Sequence, residues 1–520
     1  MSEAVRTVGG VGRGAARRVW PLLVVLAVLL SGAAPAGAAP ERYADVRPEL
    51  RAEVGAETAG ELNTYEIAAT LDAEAGTIGG TARVGFVNAA ATPLDEVYFR
   101  LYPNAAHYGE GGLTVEGVRA DGTATEPTLE VADTALRVPL PEPVAPGEMA
   151  TVELAFETAV PVDSPGSYGI FQRDSVDGTW ILADWHPVLA VYEEGVGWRI
   201  DPPTEFGDPT FAASALYDVS LTAPSGLRVV ASGVETEERQ RGEATEQRFV
   251  AGPAREFTLV ADDDYAVSRR EVGGTTVVVH AEPELAEETR QAALTVAVEA
   301  LGVFGERFGP YPFAELDLVQ TRLGGALAVS WSGLVFLDGE TLLEEMAADD
   351  PAAFETVVAH EVAHLWWGAA VGSNSNDHTF VNEGLATLSS ILYLEETASP
   401  DAVAAQRAAW VTGPARRLLA RGDAVVDLPI AAGQDGALRS WAFYGKAALG
   451  FLTMREEVGD AAFDAALRGF AETHRFAIAE PDDLLAAFEA ASGEDLDGLW
   501  RRWFAAAELT EEEIERIEAG

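Results

Sequence analysis

Two histidines on one helical face place the strongest constraint on how this chain folds. The segment HEVAH begins at His360 and ends at His364, and Glu383 follows in a later segment, NEG. Side chains at positions i and i+4 of a helix lie one above the other, so the two histidines can share one metal ion, with Glu361 beside it. Glu383 adds a carboxylate and leaves one coordination position open, which is typical of catalytic rather than structural zinc sites.

The residues around both segments have the character of helices. Residues Phe354 to Ala370 are mostly good helix formers with no proline or glycine before Gly368, and the residues after Asn382 repeat leucine and alanine at helical spacing. An ordinary amphipathic helix with buried histidines would show the same apolar residues. A third ligand on a second helix is rarely met by chance, and we therefore predict a metal site.

Composition limits the kinds of protein that this chain can be. Its 520 residues suit two or three domains, and its hydrophobic fraction of 48% is that of a globular protein. The absence of cysteine excludes disulfides, thiolate zinc ligands and cysteine nucleophiles, so a metal must be bound by nitrogen and oxygen atoms.

The chain is strongly acidic. Its formal net charge is −49, and Lys446 is its only lysine. So much negative charge disfavours nucleic acids and anionic lipids as partners. Two interpretations stay open, namely a salt-rich habitat whose ions screen the self-repulsion, and a nucleotide bias that enriches arginine and alanine. No oligomeric state is predicted.

The first 38 residues are predicted to be a signal peptide. Arg13, Arg17 and Arg18 precede an apolar run from Val19 to Leu30, and small residues follow as far as Ala38. The run is short for a membrane-spanning helix. We predict export with cleavage near Ala38, which gives a secreted, extracellular protein with no stable membrane insertion. An uncleaved membrane anchor is the alternative.

The rest of the sequence divides into two halves. Short alternating runs such as Tyr65 to Leu71 and Tyr217 to Thr222, separated by Gly, Pro, Asn and Asp, have the pattern of a β-sandwich or saddle. Beyond the acidic run that ends at Asp264, a long helix is predicted from Glu284 to Phe308, followed mostly by further helices. The predicted organisation is a signal peptide at 1–38, a linker at 39–60, a β domain at 61–265, a catalytic domain at 266–506 and an acidic tail at 507–520.

Three segments together resemble the aminopeptidase N family of gluzincin zinc metallopeptidases. They are HEVAHLWWG from His360, NEGLA from Asn382 and YGKAALGFL from Tyr444. The stretch GPYPF from Gly309 is also similar, and the resemblance covers about residues 60 to 505. It implies an α+β multidomain protein, with an N-terminal β-sandwich or saddle domain and a thermolysin-like, mostly α-helical catalytic domain. The chain is similar to a short, two-domain member without the family's C-terminal helical domain.

The resemblance also implies a chemistry. One zinc ion per chain, bound by His360, His364 and Glu383, would act as a Lewis acid on a peptide carbonyl and activate a water molecule. Glu361 would be the general base that takes the proton of this water and returns it to the leaving amine. Tyr444 matches the family's tyrosine, whose phenol hydrogen-bonds the oxyanion. The implied function is an exported metallopeptidase of aminopeptidase type with a peptide as its substrate.

One position departs from the family pattern. Ser330 stands where the family has the glutamate that binds the free α-ammonium of the substrate. A serine hydroxyl lacks the charge of a carboxylate, and its contact with an ammonium group is correspondingly weaker. Asp184 lies near a second position at which the family binds this amine, and it is a candidate to substitute.

Three hypotheses therefore stay open. The first is an aminopeptidase with a rebuilt amine pocket, the second is a metallopeptidase for blocked or longer peptides, and the third is a catalytically silent peptide-binding protein. The third is the weakest, because every metal ligand, the base and the tyrosine match the family pattern.

Overall fold

The structure of this chain is a computed structural model, and it describes residues 41–164, 166–206, 210–432 and 435–519. The predicted signal peptide at 1–38 lies outside the described residues. Among the described residues, none of the helices is both long enough and apolar enough to cross a membrane.

A β domain occupies the first half of the described chain. Its strands are β1 Asn63–Asp72, β2 Thr77–Val87, β3 Leu94–Arg100, β4 Gly112–Ala120, β5 Thr123–Ala124, β6 Thr128–Glu130, β7 Ala135–Val144, β8 Met149–Ala159, β9 Phe171–Arg173, β10 Trp180–Leu182, β11 Val188–Leu189, β12 Tyr192–Glu193, β13 Gly197–Trp198, β14 Ala215–Pro224, β15 Arg228–Ala231, β16 Val234–Arg241, β17 Ala244–Ala254 and β18 Leu259–Asp262. The largest sheet has eight strands in the order β16-β17-β14-β1-β2-β8-β4-β5, and smaller sheets pack with it around one core.

Period-two alternation explains why these strands form. In β1, the side chains of Tyr65, Ile67, Ala69 and Leu71 are buried, while the residues between them are exposed. Successive side chains of a strand point to opposite faces, so one face of β1 joins the core and the other meets solvent. β1 pairs with β2 in the antiparallel sense and with β14 in the parallel sense.

A separate five-stranded sheet begins the catalytic domain. Its strands are β19 Ala266–Val272, β20 Thr275–Ala281, β21 Glu315–Thr321, β22 Ala328–Trp331 and β23 Leu334–Asp338. They lie in the order β19-β20-β21-β23-β22, so β22 is an edge strand paired only on its β23 side within this sheet. Helices cover one face of the sheet and the β domain packs on the other, so the parallel pairs β20-β21 and β21-β23 are buried on both faces.

Helices make up most of the remaining described chain. The α-helices are α1 Arg51–Glu57, α2 Glu287–Phe308, α3 Ala347–Asp349, α4 Pro351–Ala363, α5 Ser375–Thr397, α6 Pro400–Arg407, α7 Gly413–Leu419, α8 Gly436–Ser440, α9 Ala447–Val458, α10 Asp460–Thr473, α11 Pro481–Ser492, α12 Asp497–Trp500 and α13 Glu511–Ala519. Wider π-helical segments lie at Gly339–Met346, Ala408–Thr412, Trp441–Lys446 and Arg501–Ala505, and 3₁₀ turns at Tyr102–Asn104, Ala106–Tyr108 and Ser167–Gly169. The predicted fold class, a β domain followed by a mostly helical domain, is confirmed.

The helix that carries the histidine motif is shorter than predicted. The sequence predicts a helix as far as Ala370, whereas α4 ends at Ala363 and the chain then turns. Gly368 adopts φ +134°, a conformation that side chains disfavour, and the amide of Ala370 donates to the carbonyl of Leu365. The helix formers in this stretch are therefore overridden by a turn that buries Trp367 in the core.

The segment at 39–60, predicted as a linker, is packed where it is described. It contains α1, and Tyr43, Val46 and Val54 lie in the core of the catalytic domain. The amide of Arg47 donates to the carbonyl of Pro312 at 2.9 Å, which ties the segment to the catalytic sheet. Its few apolar residues are widely spaced, so the sequence pattern alone did not indicate burial.

The segment at 507–520, predicted as an acidic tail, contains a docked helix. In α13, Ile514 and Ile517 are buried, while most of the glutamates of the helix are exposed to solvent. Glu518 forms an ion pair with Arg416 at 2.8 Å. The spacing of the two isoleucines gives the helix one narrow apolar face, which is why a glutamate-rich segment still packs.

Candidate active site

Helices α4 and α5 bring the three predicted ligands together. His360 lies in the last turn of α4, His364 directly after its end, and Glu383 in α5. Oε2 of Glu383 is 3.1 Å from Nε2 of His360 and 3.3 Å from Nε2 of His364. The two histidine nitrogens are 3.1 Å apart. Three donor atoms from two helices therefore converge on one point.

This donor set fits a zinc ion. Nδ1 of His364 lies 3.0 Å from the carbonyl oxygen of Trp367. A carbonyl only accepts, so Nδ1 carries the proton and Nε2 keeps its lone pair for a metal. Two nitrogens and one oxygen match the ligands that zinc takes in catalytic sites. The other acidic groups of suitable spacing within the described ranges contain carboxylates alone.

The electrostatics of the ligands favour a cation between them. Burial works against the charge of Glu383, yet His364 and His360 hold the pKa of this carboxyl well below its usual range. Burial also opposes protonation of His364, but the charges of Glu383 and Glu361 raise the pKa of this imidazole to about 9. The two carboxylates therefore attract positive charge to Nε2 of His364, and a metal cation would take the place of a proton there. A carboxylate that keeps its charge when buried needs a nearby positive charge, and a divalent cation supplies one.

Glu361 lies on α4 between the two histidines and is 7% exposed. Its Oε2 accepts a hydrogen bond from the hydroxyl of Ser330 at 2.6 Å. The same hydroxyl lies 2.9 Å from the backbone carbonyl oxygen of Glu361. The structure thus brings Ser330 to the carboxylate of Glu361, a partner that the sequence did not predict.

Tyr444 lies in the π-helical segment Trp441–Lys446, between α8 and α9. Its ring stacks on the imidazole of His360, with centroids 5.9 Å apart and planes at 22°. Burial, together with the charges of Glu383 and Glu361, raises the pKa of the Tyr444 phenol well above its usual range. The phenol therefore keeps its proton and can donate a hydrogen bond. Wide π-helical turns often occur at functional sites.

A cleft of about 450 Å³ contains this constellation and takes its walls from both domains. The β domain contributes Thr210, Arg255 and Glu256, while Ser330 lines the cleft from the catalytic sheet. Asp184 is not among the described lining residues; its Oδ2 accepts a hydrogen bond from Thr210 at 2.6 Å, so it lies behind the wall.

Two further residues near the site were missed by the sequence reasoning. Lys446 is buried and donates to both carboxylate oxygens of Asp423, and its status as the only lysine was the available signal. Glu256 lines the cleft and accepts a hydrogen bond from the amide of Ser332 at 2.6 Å. No motif marks Glu256, because its place in the cleft depends on how the two domains meet.

Comparisons with known proteins agree with this architecture. Residues 292–503 match the Peptidase family M1 domain. Aminopeptidase M1 of Arabidopsis thaliana is 28% identical over 302 residues, which is 56% of this chain and 34% of that protein. Aminopeptidase N of Acetobacter pasteurianus is 29% identical over 191 residues, or 35% of this chain and 52% of that protein. This chain thus spans about a third of the plant relative's length.

Solved structures show the same fold. The M1 zinc metallopeptidase from Deinococcus radiodurans superposes with a TM-score of 0.63 at 19% identity, covering 86% of this chain and 96% of that one. A two-domain M1 zinc metallopeptidase bound to L-arginine superposes with a TM-score of 0.64 at 19% identity, covering 86% of this chain and 95% of that one.

Fold and site together define a two-domain protein with a gluzincin zinc site. Residues 292–503 match the peptidase family M1 domain, and the chain is similar in sequence and fold to zinc metallopeptidases of the aminopeptidase N family. The predicted family and the predicted zinc cofactor are therefore confirmed.

Proposed function

We propose that this chain is an exported metallopeptidase of aminopeptidase type that hydrolyses peptide bonds. The observation that carries the proposal is the meeting of His360, His364, Glu383, Glu361 and Tyr444 in one cleft. Zinc held by the first three residues would polarise the scissile carbonyl and make a water molecule more acidic. The remaining chemistry belongs to the protein's own side chains.

Glu361 is the proposed general base. Its Oε2 accepts the hydrogen bond of Ser330, which leaves Oε1 to take the proton of the attacking water. The same carboxyl then delivers this proton to the leaving amine nitrogen, so the base is regenerated in each turnover. The low exposure of Glu361 keeps bulk water away from the transferred proton.

Tyr444 is the proposed donor to the oxyanion. Its raised pKa keeps the phenol neutral at ordinary pH, so that a proton is available for a hydrogen bond. The stacking on His360 restricts the ring and directs it toward the metal site. A preorganised donor of this kind stabilises charge that develops only in the transition state.

A glutamine substitution at Glu361 tests the base. Glu361→Gln should lower kcat about 100-fold or more while bound zinc, measured by elemental analysis, is unchanged. Glu355→Gln is the matched control, because Glu355 lies on the same helix but is not among the described lining residues of the cleft. A chelator should abolish turnover, and added zinc should restore it. Full activity in Glu361→Gln would contradict the assignment.

A separate question is which residue binds the free amino terminus of the substrate. Glu256 is the carboxylate left among the described cleft residues once Glu361 and Glu383 are assigned, and it supports the binding of a free α-ammonium. Burial raises the pKa of Glu256, so its charged form gains from a cationic neighbour. Glu256→Gln should then raise KM for a free-amine aminoacyl reporter and leave the N-acetylated reporter unaffected.

One observation favours a second candidate, a peptidase for blocked or longer peptides. Ser330 has no carboxylate, and its hydroxyl is engaged with Glu361. Equal turnover of matched free-amine and N-acetylated peptides would support this candidate. Turnover of the free-amine peptide alone would support the aminopeptidase, and zinc binding without turnover of either would support a silent binding protein.

Export is proposed from the sequence of residues 1–38. Mass spectrometry of the protein recovered from the producing cells tests it, by comparing the amino terminus outside and inside the cell. A mature chain that begins near Ala39 in the medium is the expected result. An intact terminus that fractionates with membranes would favour the anchor instead.

A further inference from the structure

The strand that carries Ser330 determines what its side chain can touch. Trp331, the next residue of β22, is buried in a cluster that joins the two domains and includes Phe336. Ala328, two residues before Ser330, packs against the core of the catalytic domain instead. Successive side chains of a strand alternate between faces, so the burial of Trp331 commits Ser330 to the opposite face, toward α4.

Ser330 contacts α4 through two oxygen atoms of Glu361. The hydroxyl oxygen of Ser330 lies 2.6 Å from Oε2 of Glu361 and 2.9 Å from the backbone oxygen of the same residue. A hydroxyl has one proton, and the shorter contact to a charged acceptor is the stronger one. Because Glu361 is 7% exposed, little solvent competes for this bond.

His364 and Tyr444, two polar neighbours of this carboxylate, are engaged in other interactions. His364 is a metal ligand whose Nδ1 is bonded to the carbonyl of Trp367, and Tyr444 stacks on His360. Neither of these is available to hold the rotamer of Glu361 while the site turns over. Ser330 is placed on a strand fixed by its pairing with Val335, so its hydroxyl has a defined position.

We propose that Ser330 is a positioning residue for Glu361: its hydroxyl holds Oε2 and keeps Oε1 available to water, and it does not bind the substrate's amine. This inference rests on the proposed function of Glu361 as the general base. It assigns position 330 to the chemical step rather than to recognition of the peptide. The contribution of Ser330 is therefore the same for peptides with free and with blocked amino termini.

Steady-state kinetics of Ser330→Ala test the inference. We expect kcat to fall about 10- to 100-fold, as for loss of a charge-assisted hydrogen bond, with KM nearly unchanged. The fall should be the same for each of the matched free-amine and N-acetylated reporters that the wild type turns over. Ser330→Thr keeps the hydroxyl and should recover most of the rate. Thermal melting and zinc content should match the wild type for both variants.

Two further variants sharpen the comparison. Ser492→Ala removes a serine hydroxyl that bonds the backbone of α11 at 2.8 Å, and it should leave kcat unchanged. In a Glu361→Gln background, Ser330→Ala should have almost no additional effect, because the group that it positions has been removed.

The outcomes separate this inference from the proposed function. A wild-type kcat in Ser330→Ala, with Glu361→Gln inactive, would overturn the positioning role and leave the general base intact. A rise in KM confined to the free-amine reporter would also overturn it, because that result marks amine binding. A wild-type protein without turnover would overturn the proposed function itself, and the inference with it.

Discussion

Replacing Lys446 by methionine is expected to destabilise the region that carries Tyr444. The ammonium of Lys446 donates to both carboxylate oxygens of Asp423, at 2.9 and 3.0 Å. It also donates to the backbone carbonyls of Ala424 and Ala506, at 2.7 and 2.9 Å. The π-helical segment that positions the tyrosine is thereby joined to two other parts of the chain.

The burial of this ion pair determines how much of the free energy of unfolding Lys446→Met should lose. The side chains of Lys446 and Asp423 are 1% and 5% exposed, so solvent and salt screen their attraction little. Methionine fills most of the lysine's volume but leaves the carboxylate buried without its counter-charge. Removal of one partner from a buried pair costs about 3–5 kcal/mol. Asp423 keeps two donors, the amides of Ala424 and Leu509, each at 2.8 Å, which favours the lower end of that range.

Urea unfolding in concentrated salt measures the loss in the free energy of unfolding for each single variant and for the double variant. Asp423→Asn is the partner substitution, because asparagine tolerates the φ of +59° found there. The double variant should lose at least about 2 kcal/mol less than the sum of the single losses, since it removes both charges. Additive losses, or a loss below about 1 kcal/mol for Lys446→Met, would refute the reasoning.

Three further results are expected. Tyr444→Phe should lower kcat about 100- to 1000-fold with little change in KM, because the lost bond acts in the transition state; initial-rate kinetics check this. Burial raises the pKa of Asp45 from 3.8 to about 7, so the folded state holds a proton that the unfolded chain has lost, and stability falls as pH rises from about 4 to 7. Asp45→Asn keeps an acceptor for the Gly252 amide and should be more stable than the wild type at pH 8, by roughly 4 kcal/mol, but not at pH 4; urea unfolding at both pH values checks this. Gly384→Ala should cost about 1–3 kcal/mol by the same assay, because its Cβ would lie 2.7 Å from Cβ of Ala447, where α5 meets α9.

The part of the site that depends on local geometry could be predicted from the sequence. His360 and His364 meet because any helix places i and i+4 on one face, and no knowledge of the rest of the fold is needed. The strands of the β domain follow for a similar reason, since alternation in segments such as β1 directly reports a buried and an exposed face. The end of α4 was missed because the turn at Gly368 forms through tertiary packing of Trp367, against the local helix propensity.

The part that depends on distant contacts could not be predicted. Ser330 and Glu361 are 31 positions apart, and their hydrogen bond exists only because β22 packs beside α4. Asp184 was a candidate from its approximate place in the sequence, but a shift of a loop by a few ångströms decides whether a side chain lines a cleft or lies behind it. Here Thr210 takes the lining position and Asp184 supports it from behind.

Arg255 shows why the β domain belongs to the catalytic apparatus. Its guanidinium comes from the end of the β domain and donates to the carbonyl of Gly368 at 2.7 Å, to that of Ala370 at 3.2 Å and to that of Ala477 at 2.7 Å. These carbonyls include the turn that directly follows the ligand His364. Buried carbonyls without donors are costly, so the guanidinium of Arg255 stabilises this turn from the β domain. The histidine spacing therefore defines which atoms can bind the metal, while an arginine more than 100 residues earlier holds the turn beside them in place.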